Sequence, residues 1–279
     1  MDLSKVLGLG IAGNFAGHLE QAGETPDFVH VKTDSASAPK GIFPFYVPHS
    51  TGRLGIYPFS DTQIILPADL GDNAHLQAEP EICVLFAVTY QFGKIVSLQP
   101  QAFSAFNDCS IRRPNARKIS DKKNWGAHSK GLSQQFIKLN NLDQGGVLDD
   151  YRIASFLKRD GTIHTYGIDS AVASYCYFHQ QLLDWMKDKF NHQANFGPLE
   201  NLNQIIHAAG FPRQFLVSLG ATQYSEFAQQ HFLQAGDEYL QFVYHATDYS
   251  ASQIQELAKT DVQRLDNASL LRQHIVNPL

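Results

Sequence analysis

Three carboxylates in one stretch of the chain could hold a hard metal ion. Glu79 and Glu81 stand two apart at the head of the apolar run from Ile82 to Val88, and Asp108 follows 27 residues after Glu81. In a strand, side chains two apart share a face, so both glutamates would point the same way. Two close carboxylates repel unless a cation lies between them. No His or Cys accompanies the three, and an all-oxygen donor set favours Mg²⁺, Mn²⁺ or Ca²⁺ over Zn²⁺. The plain alternative is a solvated acidic strand end, with Asn107-Asp108 an ordinary turn.

The elements that must position these groups read as strands. Glu81 to Val88 is one, Gly93 marks a turn, and Lys94 to Leu98 returns as its partner. Arg159-Asp160-Gly161 between Tyr151–Leu157 and Thr162–Ile168 is a hairpin signal. Ile64 to Pro67 reads as a short buried strand, and Phe215 to Leu219 and Glu238 to His245 as the last core strands. Ala171 to Phe190 is expected to be helical, with Tyr175, Phe178, Leu182, Leu183 and Trp185 on its apolar stripe. A shorter helix spans Leu199 to Ala209, stopped by Gly210-Phe-Pro212. From Ser250 onward the spacing of Leu257, Val262, Leu265 and Leu270 predicts a mostly helical tail, frayed or used in assembly.

Between these elements, Gly8 to His18 is rich in glycine, but its spacing is not that of a dinucleotide fingerprint and no βαβ unit follows. Phe43-Pro44-Phe45-Tyr46-Val47-Pro48 fits the rigid wall of a pocket, or an ordinary buried loop. Arg112 to Lys118, with Lys122 and Lys123 beyond, is a basic run of the kind that usually lies in a solvated loop.

The chain has 279 residues, 43% hydrophobic and 18% charged, ample for a globular core. A net charge of −5 offers no basic field for nucleic acid or anionic membrane. No apolar run reaches the ~20 residues of a membrane span, and the opening Met1 to Leu7 does not read as a signal peptide. Cys83, Cys109 and Cys176 lack metal or redox spacing and suit a reducing cytoplasm.

In their order, these motifs resemble the core of the fumarylacetoacetate hydrolase superfamily. The Glu79-Pro-Glu81 pair matches its Glu-x-Glu, and Asp108-Cys-Ser110-Ile-Arg112 matches its Asp-x-(Ser/Thr)-x-Arg. Trp125 and Lys130 match its Lys near a Trp. Gly220-Ala-Thr222 resembles its Gly-Thr-Pro, and Leu233-Gln-Ala-Gly236-Asp237 its Leu-x-x-Gly-Asp. Asn14-Phe15-Ala-Gly-His18 matches the first half of the family's Asn-Tyr-x-x-His-x-x-Glu. The second half departs: Gln21 stands where the Glu belongs, with Glu20 and Glu24 as substitutes. Val47 stands where the family often has Lys.

The resemblance implies an α+β, mainly β chain: a mixed β-roll with peripheral helices. It implies one domain, with a lid and pocket wall at 1–76, the roll at 77–248 carrying a helical insertion at 171–212, and a helical tail at 249–279. It implies Mg²⁺ (or Mn²⁺ or Ca²⁺) on Glu79, Glu81 and Asp108, and a small keto-acid or β-diketo-acid substrate. His18, supported by Glu20 or Glu24, would act with Lys130; Arg112, Tyr46, Gly220 and Thr222 would contact substrate. The expected reaction is C–C hydrolysis through a metal-stabilised enolate, in a cytoplasmic homodimer without nucleic-acid or membrane partners. Decarboxylation, hydration and isomerisation share that enolate and stay open, as does a non-catalytic metal- or ligand-binding protein, which the Gln21 and Val47 departures motivate.

Overall fold

The computed structural model describes residues 2–71, 73–113 and 116–278; of the basic run, Pro114 and Asn115 lie outside them. The run after Glu79 forms the strand Pro80–Gln91, which turns at Phe92-Gly93 and returns as Lys94–Asn107. Both turn residues have positive φ, 50° and 73°, the twist that two antiparallel strands require. From Pro80 to Phe86 every residue is buried, which explains a continuous apolar run instead of alternation.

This hairpin is the middle of a curled mixed sheet. Pro80–Gln91 pairs antiparallel with Gln214–Ser218, which lies parallel to Leu7–Ala12, whose other neighbour is the edge strand Gly41–Tyr46. On the far side, Lys94–Asn107 pairs with Lys130–Leu132, itself beside Phe59–Ser60. A second sheet runs Thr162–Ala171, Tyr151–Arg159, Glu238–His245, Ala268–Val276 and Gln63–Ile65. A small ribbon joins His75–Gln77 to Ser110–Arg112. Ile82, Val84 and Phe86 of the first sheet share one core with Ile153, Val243 and Leu271 of the second. Polar ties cross the same interface: Asn107 Nδ2 donates to Gln273 Oε1 at 3.1 Å, and Ser104 and Ser269 hydroxyls lie 3.0 Å apart. The fold is the mainly β, mixed roll with peripheral helices that the resemblance implied.

Pro44 is tolerated within its strand because Gly41–Tyr46 is an edge, where a missing amide donor breaks no ladder. The glycines opposite have a steric purpose. A Cβ on Gly8 would lie 2.3 Å from Phe45 Cε2, and one on Gly10 2.3 Å from Phe43 Cζ. Two phenyl rings therefore sit directly on the backbone of the neighbouring strand.

Several expected boundaries are corrected. Thr162–Ala171 continues as strand where a helix was expected from Ala171, and a 3-10 turn, Val172–Ser174, follows. The α-helix is His179–His192, with Leu182, Trp185, Met186 and Phe190 buried against the first sheet. The hairpin partner Tyr151–Arg159 pulls the preceding residues into the ladder, a tertiary pairing that propensity does not register. The tail is not mostly helical: after the helix Ala251–Ala258, the strand Ala268–Val276 lies inside the second sheet. Leu265 and Leu270 flank the turn at Asn267 and do not share a helical stripe. Nor is the roll confined to 77–248, since Leu7–Ala12, Gly41–Tyr46 and Gln63–Ile65 belong to its sheets. Among the described residues no helix is long and apolar enough to cross a membrane.

Candidate active site

The ends of the central hairpin bring the acidic residues together. Pro80 faces Asn107 in register, so Glu79 and Asp108 flank the same ladder rung, and the Asp108 amide donates to the Glu79 carbonyl at 3.1 Å. Glu81, two residues along, is on the same face. One carboxylate oxygen from each of Glu79, Glu81 and Asp108 lies within 4.8 Å of the others, and all three residues are buried.

Cations surround them. Lys130 opens the strand paired with Lys94–Asn107, and its Nζ lies 2.9 Å from Asp108 Oδ1 and 5.6 Å over the Trp125 ring. Arg112 Nη2 donates to Glu79 Oε1 at 2.6 Å and Nη1 to Glu24 Oε1 at 2.7 Å. Lys122 Nζ reaches Glu24 at 2.7 Å and Asp27 at 3.0 Å. Lys123 Nζ bridges Glu79 Oε2 at 2.6 Å and Asp108 Oδ2 at 2.7 Å. Four carboxylates and four cations thus alternate from Asp27 at the rim to Lys130 in the interior. Buried charges are tolerated in this way, each paired.

Lys122 and Lys123 correct the reading of the basic run as a solvated loop. Both are buried, because the 3-10 turn Ile119–Lys122 folds back over the triad. Nothing in the local sequence marks them; their carboxylate partners are 15 to 98 residues away.

Burial alone would raise the Glu79 carboxyl, but Lys123 and Arg112 outweigh it and hold it well below the usual range. Glu24 is treated the same way by Arg112 and Lys122, down to about 2. Among the described residues no cation contacts Glu81. Burial, with Asp108 and Glu79 beside it, pushes its carboxyl well up, and its Oε2 accepts from the Gly220 amide at 2.9 Å.

His18 lies at the start of a short helix, His18–Gln21, and is buried. Its Nδ1 is 2.9 Å from the Thr222 carbonyl oxygen. A carbonyl only accepts, so Nδ1 carries the proton and the neutral ring keeps its free lone pair on Nε2. Burial is the largest influence on this ring and lowers its pKa, favouring the neutral form. Asn14 fixes the segment: its amide donates to the carbonyls of Leu219 and Tyr177 and accepts from the Tyr177 amide.

A cavity of about 20 Å³ is lined by His18, Glu24, Glu79, Glu81, Lys123 and Phe43, among others. That is room for one water-sized guest.

Of the expected site residues, His18, Arg112, Lys130 and the three carboxylates converge, with Gly220 and Thr222 holding Glu81 and His18 through their backbones. Glu20 is exposed, while Glu24 is buried in the cation network. Gln21, at the expected Glu position, ties its side chain to the Tyr224 amide and carbonyl. Tyr46 points away: its hydroxyl donates to the Ser4 carbonyl at 2.7 Å. Tyr224 was missed by the sequence reading. Its hydroxyl accepts from Arg112 at 2.9 Å and donates to the Ala78 carbonyl.

The donor set suits a hard divalent ion. All three groups are buried carboxylates, and the Lys130 ammonium lies 2.9 Å from Asp108 Oδ1.

Comparison with solved structures agrees with the fold. A structure of Cg1458 with inhibitor matches at TM-score 0.58 and 13% identity, over 98% of this chain and 77% of that one. A protein described as HpcE from Mycobacterium smegmatis matches at 0.58 and 13%, over 98% and 76%. Maleylpyruvate hydrolase from Sphingobium sp. SYK-6, in complex with manganese(II) and pyruvate, matches at 0.50 and 8%, over 98% and 71%. No curated protein matches by sequence. The fold is that of these solved structures, as the resemblance to the fumarylacetoacetate hydrolase superfamily implied. A model described as a family of unknown function, DUF5718, matches residues 24–275, and the chain belongs to that family.

Proposed function

We propose that the protein is a metal-dependent enzyme that hydrolyses a C–C bond in a small keto-acid or β-diketo-acid. The observation that carries the reading is one cavity lined by Glu79 and Glu81, two of the three clustered carboxylates, and by a neutral histidine whose free nitrogen is Nε2. Glu79, Glu81 and Asp108 would hold the divalent ion, which when bound supplies Lewis acidity at the keto oxygen and favours the enolate. His18 Nε2 takes a proton from a water in the cavity, and the Thr222 carbonyl steadies the imidazolium through Nδ1–H. Lys130, now paired with Asp108, would supply positive charge to the developing enolate, and the Gly220 amide holds the Glu81 carboxylate in place. A maleylpyruvate hydrolase of this fold has been seen with manganese(II) and pyruvate, which supports both the metal and the keto-acid product.

Dehydration is the second reading, favoured by a fold match at TM-score 0.50 to a 2-keto-3-deoxyarabinonate dehydratase. The test is a panel of acylpyruvates and 3-deoxy-2-keto acids, with Mg²⁺ or Mn²⁺ and with chelator. Pyruvate release from an acylpyruvate supports hydrolysis. Loss of water without chain cleavage supports the dehydratase reading, and no metal-dependent turnover of either class counts against both.

A further inference from the structure

The Lys123 ammonium sits within the acidic cluster. Its Nζ is 2.6 Å from Glu79 Oε2 and 2.7 Å from Asp108 Oδ2, two of the three carboxylates that converge. On its other side Nζ lies 4.9 Å over the centroid of the Phe43 ring, and that ring is held against the backbone at Gly10. The side chain is 3% exposed, so solvent does not screen it. An ammonium in this position does what a metal ion does in an all-oxygen site: it keeps like charges together.

The charges around it are already matched. The alternating network pairs each carboxylate other than Glu81 with a lysine or arginine. A divalent ion added beside Lys123 would bring two further positive charges with only Glu81 to answer them, in a cavity of about 20 Å³. Two cations so close, away from water, repel strongly.

We propose that Lys123 and a divalent ion are mutually exclusive occupants of the triad. The ammonium holds Glu79 and Asp108 together in the metal-free chain, and an ion loads only by displacing it. The inference rests on the divalent-ion reading of Glu79, Glu81 and Asp108. It makes Lys123 a residue that sets metal affinity: the carboxylates remain assembled without metal, and free metal binds less tightly than three buried carboxylates alone would bind it.

The test is calorimetric titration of MnCl₂ into wild type, Lys123→Met and Lys123→Gln, with thermal unfolding of each with and without Mn²⁺. The variants should bind one ion at least about tenfold more tightly than wild type, and Mn²⁺ should raise their Tm more than that of wild type. Equal affinity in all three would overturn the exchange and leave the metal reading standing. No binding by any of the three would overturn the metal reading and the exchange with it. If the variants do not fold in metal-free buffer, refolding them in millimolar Mn²⁺ gives the answer. Recovery supports the exchange, and continued failure overturns it, because the ion then does not take the ammonium's place.

Discussion

Glu79 and Asp108 are 29 residues apart in the chain, yet the amide of one donates to the carbonyl of the other at 3.1 Å, and both carboxylates grip the same Lys123 ammonium. Glu79 also receives Arg112 at 2.6 Å. Removing its charge therefore leaves two buried cations short of a partner. Glu79→Gln is expected to cost about 3–5 kcal/mol of stability, read from urea unfolding midpoints at constant m. A loss below about 1 kcal/mol would mean that the network is solvated.

Gly10→Ala tests the seat of Phe43. The added methyl would lie 2.3 Å from Phe43 Cζ, so the ring must shift, and with it the wall beside Lys123. We expect about 1–3 kcal/mol of destabilisation, the usual cost of overpacking, partly restored by Phe43→Leu in the same chain.

Glu200 gives the molecule a pH-dependent weakness away from the site. Burial, opposed by the hydrogen bond from Ser120, pushes its carboxyl up to about 7 from 4.5, and its Oε2 is buried without a partner. The folded state thus binds the proton more tightly than the unfolded state. Its contribution is full below about pH 4.5 and is lost as pH rises through 7, by at most about 3 kcal/mol. Relative to wild type, Glu200→Gln should gain stability across that window. Parallel pH profiles for the two proteins would refute this assignment.

His18→Ala should leave divalent-ion binding intact and lower turnover by roughly 10²–10⁴, the usual worth of a general acid–base. His18→Ala with full turnover would remove His18 from the chemistry. The cavity is smaller than any keto acid, so the wall from Gly17 to Glu24 is expected to move on binding. Amide hydrogen exchange there should slow when Mg²⁺ and oxalate are added together.

The acidic pair was legible in the sequence because a strand has period 2. Periodicity placed Glu79 and Glu81 on one face; Asp108 joined them through the resemblance, because the return strand runs on to Asn107, past the expected end at Leu98. Lys122 and Lys123 were not legible: their burial depends on carboxylates up to 98 residues away, and a basic run looks the same in solvent. Tyr224 was hidden for the same reason. The strand Ala268–Val276 was missed because its apolar residues also fit a helical spacing, and only its partners on either side decide between the two. The spacing of Gly8 and Gly10 excluded a dinucleotide loop from the start, but their purpose, room for the Phe45 and Phe43 rings, shows only in the fold.

The most direct measurement is a crystal structure of the protein with Mn²⁺ and oxalate, a mimic of the pyruvate enolate. The account predicts one ion about 2.0–2.6 Å from carboxylate oxygens of Glu79, Glu81 and Asp108. Oxalate should chelate that ion on the side of His18, with Lys123 Nζ withdrawn from Glu79 and Asp108. An ion bound elsewhere, or Lys123 still seated between Glu79 and Asp108 with oxalate excluded, would contradict it.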